Sequence, residues 1–458
     1  MIERTPNFKL IKKMNNKVFL RRMLWLLCLP LLLTACKDSM VEHYEVPDWV
    51  ADNAWEVLSS GEHGNYSIFL QGLEIAGYKQ MLEGKAILTI IAPDDDAFQT
   101  YYNKEKLVNF RPTGSTETEE EQNIKAGLYY KHRTRSSDAP TVETTPTGAS
   151  VMVYHLERYL PIFSYRYFQT KGIDAKNNYE AFYPNSTWTG DDGFNVSNAS
   201  VKEYGIIANN GYIHAVDRVV EPLETIYTEL KNKEKYSTFL DLYDSFGVYV
   251  ADDELSKSYA KAYGVDTLYQ YQHGGLPNIA CEWPTSSYLN FTALTALSYS
   301  IFAPSNTAIN SFFDSFWKIG GYSSMQEVDA LALNYFLYQF IYGGSMLFPE
   351  ELGDDELKNL AGSSLNINPA ALNEKTMCVN GALYGMDEIK EPSTFASVIG
   401  PLFQYKSARS FLYALLGSSL FSSYVSDLSK YIVLVPTAEQ FEASGIRTVY
   451  STQGLEAE

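Results

Sequence analysis

Four runs of acidic residues are the first candidates for chemistry in this sequence. They are Asp94-Asp95-Asp96, Asp191-Asp192, Asp252-Asp253-Glu254 and Asp354-Asp355-Glu356. Two carboxylates held at the right separation can hydrolyse a glycosidic bond, so a carboxylate-dependent glycoside hydrolase is one hypothesis. Sequence neighbours rarely face each other across a substrate, however, and aspartate is typical of turns and of the first turn of a helix. We therefore interpret these runs as caps and turns; calcium could bind at Asp191-Asp192, but no EF-hand spacing is present.

The other catalytic signatures give no support for an enzyme. The six histidines are scattered without H-E-x-x-H spacing, and the sequence contains no G-x-S-x-G, Walker or G-x-G-x-x-G pattern. We predict a protein that is not an enzyme, with no cofactor and no metal.

Two aromatic-rich stretches are candidate binding surfaces. Aromatic rings can stack on the faces of sugars, and nearby polar groups can bond to sugar hydroxyls. The candidate residues are Tyr165, Tyr167, Tyr183 and Trp188 in the first stretch, and Tyr269, Tyr271 and Trp283 in the second. The alternative is that these rings pack the loops that carry them.

The N-terminus has the pattern of an export signal. Basic residues precede a short apolar run over residues 23–33, which falls below the roughly 20 apolar residues that span a bilayer. The run ends in Leu33-Thr34-Ala35-Cys36, which resembles a bacterial lipobox. The resemblance implies cleavage after residue 35 and lipidation of Cys36, with acyl chains as the membrane anchor. We predict an outer-membrane lipoprotein at the cell surface; a plain signal peptide with a chance cysteine is the alternative.

The net charge limits the partners that the chain can bind, and the cysteines allow two arrangements. A net charge of −19 repels phosphate backbones, so we predict no nucleic-acid partner. The expected partners are the membrane through Cys36, a surface protein or glycan, and, as a further candidate, components of a TonB-dependent transporter. Cys281 and Cys378 could pair in an oxidising compartment or lie apart as buried thiols.

A repeated sequence pattern predicts the strands and helices that position the candidate functional residues. Asn-Gly, Asp and Pro recur at identical offsets, with matching apolar residues between them, in residues 210–222 and 380–392. Asn-Gly suits a tight hairpin turn, and the apolar positions suit a partly buried strand. Upstream, residues 87–93, 299–304 and 431–436 are each predicted to form a strand that ends in proline. A helix-capping residue follows each strand, and a helix beginning near Phe69, Phe239 or Phe411 precedes it.

Together these elements resemble the fasciclin domain. The matching residues are Ala92, Pro93, Asn210, Gly211, Asp217 and Pro222 in the first copy, and Ala303, Pro304, Asn380, Gly381, Asp387 and Pro392 in the second. The resemblance implies an α+β fold of tandem fasciclin-like domains, each a small β-core with packed helices. It also implies a role in adhesion or in matrix and surface interactions.

The repeat predicts the organisation of the chain. Residues 1–35 form the signal peptide, 36–224 the first domain and 225–394 the second, with an insertion at about 251–297. Residues 395–458 form an incomplete third domain, because no Asn-Gly element follows residues 431–436. That copy could be truncated, completed by a partner, or docked on the second domain; we favour truncation.

Two functional hypotheses are consistent with this lipid-anchored architecture. The leading hypothesis is a lipid-anchored surface protein that binds macromolecules through its fasciclin-type domains. The alternative is an accessory glycan-binding subunit of a TonB-dependent polysaccharide-uptake complex.

Overall fold

The computed structural model describes residues 52–103, 140–155, 160–220, 223–282, 299–354, 356–365, 367–418, 420–425, 430–449 and 454–457. The strands are β1 (Leu88–Pro93), β2 (Thr141–Thr144), β3 (Ser150–Val153), β4 (Ile162–Phe163), β5 (Asn195–Val196), β6 (Ala199–Ala208), β7 (Gly211–Val216), β8 (Gly247–Ala251), β9 (Tyr269–His273), β10 (Tyr299–Pro304), β11 (Ile341–Tyr342), β12 (Leu372–Cys378), β13 (Gly381–Met386), β14 (Ile446–Val449) and β15 (Gly454–Ala457). The predicted signal peptide, Cys36, Pro222 and Trp283 lie outside the described residues.

Short helices flank these strands. The α-helices are α1 (Ala54–Ser59), α2 (Ser67–Ile75), α3 (Lys79–Glu83), α4 (Asp95–Asn103), α5 (Tyr165–Lys171), α6 (Ala175–Phe182), α7 (Ile226–Lys231), α8 (Ser237–Asp244), α9 (Asp253–Tyr259), α10 (Asn306–Phe312), α11 (Ala330–Tyr338), α12 (Ser393–Ala396), α13 (Gly400–Gln404), α14 (Arg409–Leu416), α15 (Phe421–Val425) and α16 (Ala438–Ala443). A π-helical turn, Phe313–Trp317, extends α10, and short 3₁₀ helices lie at Glu234–Tyr236, Ala260–Tyr263, Met325–Glu327, Pro349–Gly353, Pro369–Ala371 and Lys406–Ala408. Within the described ranges, none of the helices has the length and apolarity needed to cross a membrane.

Two sheets share one central arrangement. The first has the order β1-β7-β6-β5-β4, and the second has the order β11-β10-β13-β12. In each, the strand that ends in Ala-Pro runs parallel to the strand that begins at the Asn-Gly glycine, and a hairpin supplies the third strand. Leu88 pairs with Gly211 as Tyr299 pairs with Gly381. The predicted α+β fold with two equivalent β-cores is confirmed.

The predicted strand ends and helix starts have local causes. Both β1 and β10 end at proline, which lacks the N–H that would continue the ladder. The next residue then accepts a hydrogen bond from the first helical turn: Ala97 N–H donates to Asp94 Oδ1 over 2.8 Å, and Ala308 N–H to Ser305 Oγ over 3.4 Å. Such caps satisfy donors that lack an intrahelical partner.

The cores of the two halves differ in size. The inner face of the first sheet, with Ala92, Ile206 and Ile213, packs on α1 and α3 in a small cluster. The second sheet belongs to a much larger cluster, which also contains Phe168, Tyr179 and other residues from α5 and α6 of the first half. Part of the first half therefore completes the core of the second.

A third sheet also joins the halves. Its order is β2-β3-β9-β8, so the β2–β3 hairpin of the first half pairs with the antiparallel strands β8 and β9 of the second. The junction is a parallel bridge between Val153 and Tyr269. The described part of the predicted insertion, residues 251–282, supplies α9 and β9 to this unit.

The C-terminal region corrects one prediction. Residues 431–436 form no strand, and Ile432 is 94% exposed. A strand needs a neighbour for its backbone groups, and the parallel neighbour that β7 gives β1 has no counterpart beside this segment in the described residues. The capped helix that follows is confirmed, because Thr437 and Gln440 form a reciprocal capping box at α16.

The helices before that segment pack on the second domain. Phe395, Phe403, Leu412 and Tyr413 are buried in the same cluster as the second sheet. Residues 395–416 thus pack on the second core, and the truncation favoured for the third copy stays a prediction. The predicted domain limits themselves stay predictions.

Candidate functional site

Each Asn-Gly bend is fixed by the side chain of its asparagine. Asn380 is buried; its Oδ1 accepts from Ile226 N–H over 3.0 Å, and its Nδ2 donates to the carbonyls of Ile279 and Cys281 over 2.8 and 2.9 Å. Its own carbonyl accepts from Tyr299 N–H over 3.1 Å. One residue thus ties the start of α7 and the loop at residues 279–281 to the first pair of the β10–β13 ladder.

The first bend repeats this arrangement. Asn210 Oδ1 accepts from Ala54 N–H over 2.9 Å, and its Nδ2 donates to the carbonyls of Leu82 and Gly84 over 2.7 and 3.0 Å. The carbonyl of Asn210 accepts from Leu88 N–H over 2.9 Å. The two bends therefore lie in equivalent surroundings.

The glycine after each asparagine is required by the close approach of the paired strand. Gly211 and Gly381 have φ of +149° and +146°. A Cβ would lie 1.9 Å from the carbonyl oxygen of Leu88 in the first case and of Tyr299 in the second. Only glycine combines this backbone angle with so short an approach.

The remaining motif residues are structural, with one difference between copies. Ala92 and Ala303 are fully buried in the central strands. Asp217 accepts from Ser200 N–H over 2.7 Å and so fixes the start of β6. Asp387 is exposed and pairs instead with Lys235 over 3.0 Å, a contact that lowers the pKa of its carboxyl group. Pro392, which is buried, caps α12 with its carbonyl.

The first aromatic stretch is mainly an inter-domain core rather than an open surface. Trp188 is buried, its ring lying edge-on to Phe168 at 5.5 Å, and its indole N–H donates to Asp191 over 2.9 Å. Tyr167 is half-buried against Phe348, and burial raises its pKa to about 12. Tyr183 is also half-buried and contacts Ser197.

Polar contacts hold this stretch on the second domain. The Lys171 ammonium binds both carboxylate oxygens of Glu351 at 2.9 and 3.0 Å, and Asn178 Nδ2 donates to Glu350 over 2.7 Å. Among the four candidates of this stretch, Tyr165 is the exposed one. Loop packing, the alternative weighed for these rings, describes the other three.

The second stretch contributes to a network of phenols around one carboxylate. Asp244 accepts from Tyr271 over 2.9 Å and from Tyr227 over 3.2 Å, and His273 Nε2 lies 3.1 Å away. Beside it, Tyr249 donates to Glu143 of β2 over 2.9 Å, so the network spans both halves. Tyr269 lies on the same strand and forms the bridge between β9 and β3.

Burial and the neighbouring carboxylates keep these phenols protonated. Burial raises the pKa of Tyr227 and Tyr271, and the negative charge of Asp244 raises both further. The pKa of Tyr249 is raised to about 12, by burial and by its bond to Glu143. Near neutral pH these phenols therefore act as hydrogen-bond donors to Asp244 and Glu143.

The acidic runs serve as caps and turns. Asp95 accepts from Ile68 N–H over 2.8 Å at the start of α2, Asp252 caps α9, and Asp354 accepts from Glu356 N–H over 2.9 Å. Within the described parts of the chain, no three side chains of His, Cys, Asp or Glu converge as metal ligands would. Cys281 and Cys378 are buried free thiols, as one of the two alternatives supposed.

Sequence reasoning missed two exposed aromatic residues on a sheet. Tyr204 and Tyr212 project from β6 and β7 of the first domain. Comparison of the two repeats could have found Tyr212, because the second copy has the small Ala382 at that position.

Comparisons with known proteins give limited information. No family model and no curated protein matches the chain. The chain is similar to a solved FAS1 domain pair from the insect cell adhesion molecule Fasciclin I, at 13% identity over 70% of this chain and 98% of that one, with a TM-score of 0.24. This TM-score is too low to carry the fold assignment, which depends on the internal repeat of the two sheets.

Proposed function

We propose that this chain is a non-enzymatic surface protein that binds macromolecules through two fasciclin-type domains. The observation that carries the proposal is the matched pair of bends at Asn210 and Asn380. Each has four equivalent hydrogen bonds and a glycine without room for a side chain. These are the positions at which the sequence resembles the fasciclin domain, a family associated with adhesion.

The proposal includes an acylated anchor at Cys36. Its support is the sequence Leu33-Thr34-Ala35-Cys36 after a short apolar run. Metabolic labelling with palmitate should mark the wild-type chain in a bacterial host, and Cys36→Ser should remain unlabelled. Cys281→Ser is the matched control and should label normally; label on the Cys36→Ser variant would refute the anchor.

Binding can be tested with the full chain on immobilised matrix proteins and purified polysaccharides. The proposal expects saturable binding to at least one protein surface, with no release of soluble sugar from any polysaccharide. Hydrolysis that ends on substitution of an acidic pair would replace the proposal with the glycosidase hypothesis.

A second candidate is an accessory glycan-binding role in a TonB-dependent uptake complex. It is favoured by the network of Tyr227, Tyr249 and Tyr271 with Asp244 and Glu143, because phenols and carboxylates can bond to sugar hydroxyls. This candidate expects a positive glycan array that weakens on Tyr249→Phe. An array without signal would leave the first candidate alone.

A further inference from the structure

The third sheet ends in an edge strand, β8, that lacks the features by which an edge usually avoids further pairing. The sheet order β2-β3-β9-β8 gives β8 a single neighbour among the described strands. Its sequence, Gly247–Ala251, contains no charged residue and no proline, and its register with β9 has no shift. By contrast, the edge strand β12 of the second sheet contains Glu374 and Lys375, and its register shifts beside Leu372. Charges, prolines and bulges protect an edge, so β8 is open to another strand.

Hydrogen bonds at its two ends show which backbone groups of β8 point outward. Gly274 N–H donates to the carbonyl of Phe246 over 2.8 Å, and Asp252 N–H donates to the carbonyl of Leu268 over 3.0 Å. Bonded and non-bonded pairs alternate along an antiparallel ladder, so the even-numbered residues of β8 bond to β9. The outward N–H and C=O groups are therefore those of Gly247, Tyr249 and Ala251. Among the described residues, no backbone group pairs with them.

The side chains of β8 give the edge one apolar and one polar face, because successive residues of a strand point to opposite faces. Val248 and Val250 lie on one face and are 44% and 40% exposed. Tyr249 lies on the opposite face, where its hydroxyl donates to Glu143 over 2.9 Å and the paired phenol of β9 donates to Asp244 over 2.9 Å. A strand added beside β8 would therefore place alternate side chains next to the exposed valines and on the face of the two carboxylates.

The surroundings of β8 are acidic. Residues 241–254, which contain the strand, include five acidic side chains and no basic one. Asp252, Asp253 and Glu254 follow the strand directly, and the last two are exposed. Lys257 of α9 is the next basic residue along the chain. Together with the net charge of −19, this field attracts a basic segment to the edge and repels a second copy of the chain.

We propose that β8 binds an extended segment of another protein by strand addition, and that this segment alternates basic with apolar residues. Its backbone pairs with the three outward residues, its apolar side chains contact the two valines, and its basic side chains lie on the face of the two carboxylates. The inference rests on the proposed function and names its surface and its class of partner. The outward groups repeat at the two-residue spacing of a strand, which a peptide backbone matches, and this favours a protein over a glycan at the edge.

The test uses the full chain and a labelled peptide of alternating lysine and valine. Fluorescence polarisation should show saturable binding that weakens as salt is added. Ala251→Pro should weaken it at least about tenfold, because proline removes an outward N–H and places its ring at the edge. Ala251→Ser, which keeps that N–H, is the matched control and should bind as the wild type does. Unchanged melting temperatures would show that both variants fold.

Two modified peptides test the backbone pairing without any change to the protein. One is N-methylated on its lysines and the other on its valines. Only one of these sets of N–H groups faces the partner in a strand, so one peptide should lose binding and the other should keep it. Equal binding by both would overturn strand addition. A peptide with glutamate in place of lysine should not bind, and binding equal to that of the lysine peptide would overturn the basic class of partner.

The remaining outcomes separate the inference from the proposed function. No saturable binding of the lysine peptide, or equal binding by Ala251→Pro, would overturn the docking edge. On the immobilised panel, protein binding lost in Ala251→Pro supports both proposals, whereas protein binding kept in that variant overturns the edge but not the function. Peptide binding without any panel binding supports the edge and contradicts the function. A wild-type dimer in sedimentation velocity that Ala251→Pro dissociates would overturn the class of partner, because the edge would then pair with a second copy.

Discussion

At the residue scale, the two buried asparagines connect sequence pattern to fold. Each amide uses its oxygen and its nitrogen on backbone groups of distant segments, so removal leaves several buried polar groups without partners. Each such group costs about 1–3 kcal/mol when it is left unsatisfied. The bends are therefore more sensitive to substitution than their small size suggests.

Asn380→Ala should lower the free energy of unfolding by about 3 kcal/mol, because Ile226 N–H and the carbonyls of Ile279 and Cys281 lose their partner. Urea denaturation followed by circular dichroism measures the change. Asn368→Ala is the control, since that side chain is exposed and, among the described residues, accepts from Ala370 N–H alone. Equal effects of the two substitutions would contradict the role given to Asn380.

Gly381→Ala should destabilise by about 3 kcal/mol or more, because the new methyl group would meet the carbonyl of Tyr299 at a strained backbone angle. Gly353→Ala offers a comparison, since it has no atom within 4 Å of the new methyl group and no positive φ. Thermal melts of both variants compare their losses of stability. A tolerated alanine at position 381 would mean that the strand does not approach as described.

The carboxylate of Glu374 predicts a pH dependence of stability. Burial raises its pKa, but Lys233 at 2.6 Å and the Tyr236 hydroxyl at 2.9 Å outweigh burial, so the folded pKa is lowered. A lowered folded pKa gives stability that is present above the unfolded value, about 4.3, and lost as pH falls through the folded value. Glu374→Gln should therefore lose less stability than wild type between pH 5 and pH 3, measured by urea midpoints. Glu356→Gln, at an exposed carboxylate, should keep the wild-type profile, and identical profiles for all three chains would exclude the effect.

The residue types in the sequence predicted these bends, but they did not predict which aromatic side chains are buried. Asn, Gly and the capping residues act on neighbours close in sequence or through a fixed backbone angle, so one sequence reveals them. Tyr167 and Trp188 are covered by partners brought together by the tertiary fold, such as Phe348 for Tyr167. Such burial depends on distant packing, which local pattern does not contain.

At the element scale, α6 is a bridge between the halves. Its Phe182 packs against Phe348 and Tyr384 of the second domain at 5.8 and 5.7 Å. Phe182→Ala should cost about 3 kcal/mol, since a buried ring is replaced by a cavity. Tyr165→Ala removes an exposed ring from the neighbouring helix and should change stability by less than about 0.5 kcal/mol. Chemical denaturation distinguishes the two, and a neutral Phe182→Ala would show that α6 does not close the second core.

The C-terminal segment shows where element prediction failed. Residues 431–436 have the same apolar pattern as β1 and β10, yet they are not a strand. Strand propensity describes the fit to a neighbouring strand, and within the described residues no strand pairs with this segment. Helix caps, which need only local partners, were predicted correctly at Thr437 as at Asp94 and Ser305.

At the scale of the whole molecule, side-chain packing, strand pairing and polar contacts among the described residues join the halves. Helices α5 and α6 enter the second core, β3 pairs with β9, and His155 lies 3.4 Å from the buried carboxylate of Glu282. The internal repeat predicted two equivalent cores. The repeat could not predict how the halves are joined, because the joining segments are the parts that differ between the copies.

These connections predict cooperative unfolding of the two halves. Scanning calorimetry of the full chain should show the two β-cores melting in one main transition, and Phe182→Asp should separate it into two. A wild-type chain that already melts in two well-separated steps would show that the shared core contributes little.

The central claim is that two equivalent β-cores are each pinned by an Asn-Gly bend. Native-state amide hydrogen exchange of the full chain tests it most directly, through the N–H groups of Ala54 and Leu88 at the first bend and of Ile226 and Tyr299 at the second. We expect strong protection of all four. Protection should be lost at Ala54 in Asn210→Ala and at Ile226 in Asn380→Ala, because these two N–H groups bond to the side-chain oxygen that is removed, whereas Leu88 and Tyr299 bond to backbone carbonyls that the variants keep. Free exchange at either pair in the wild-type chain would contradict the account.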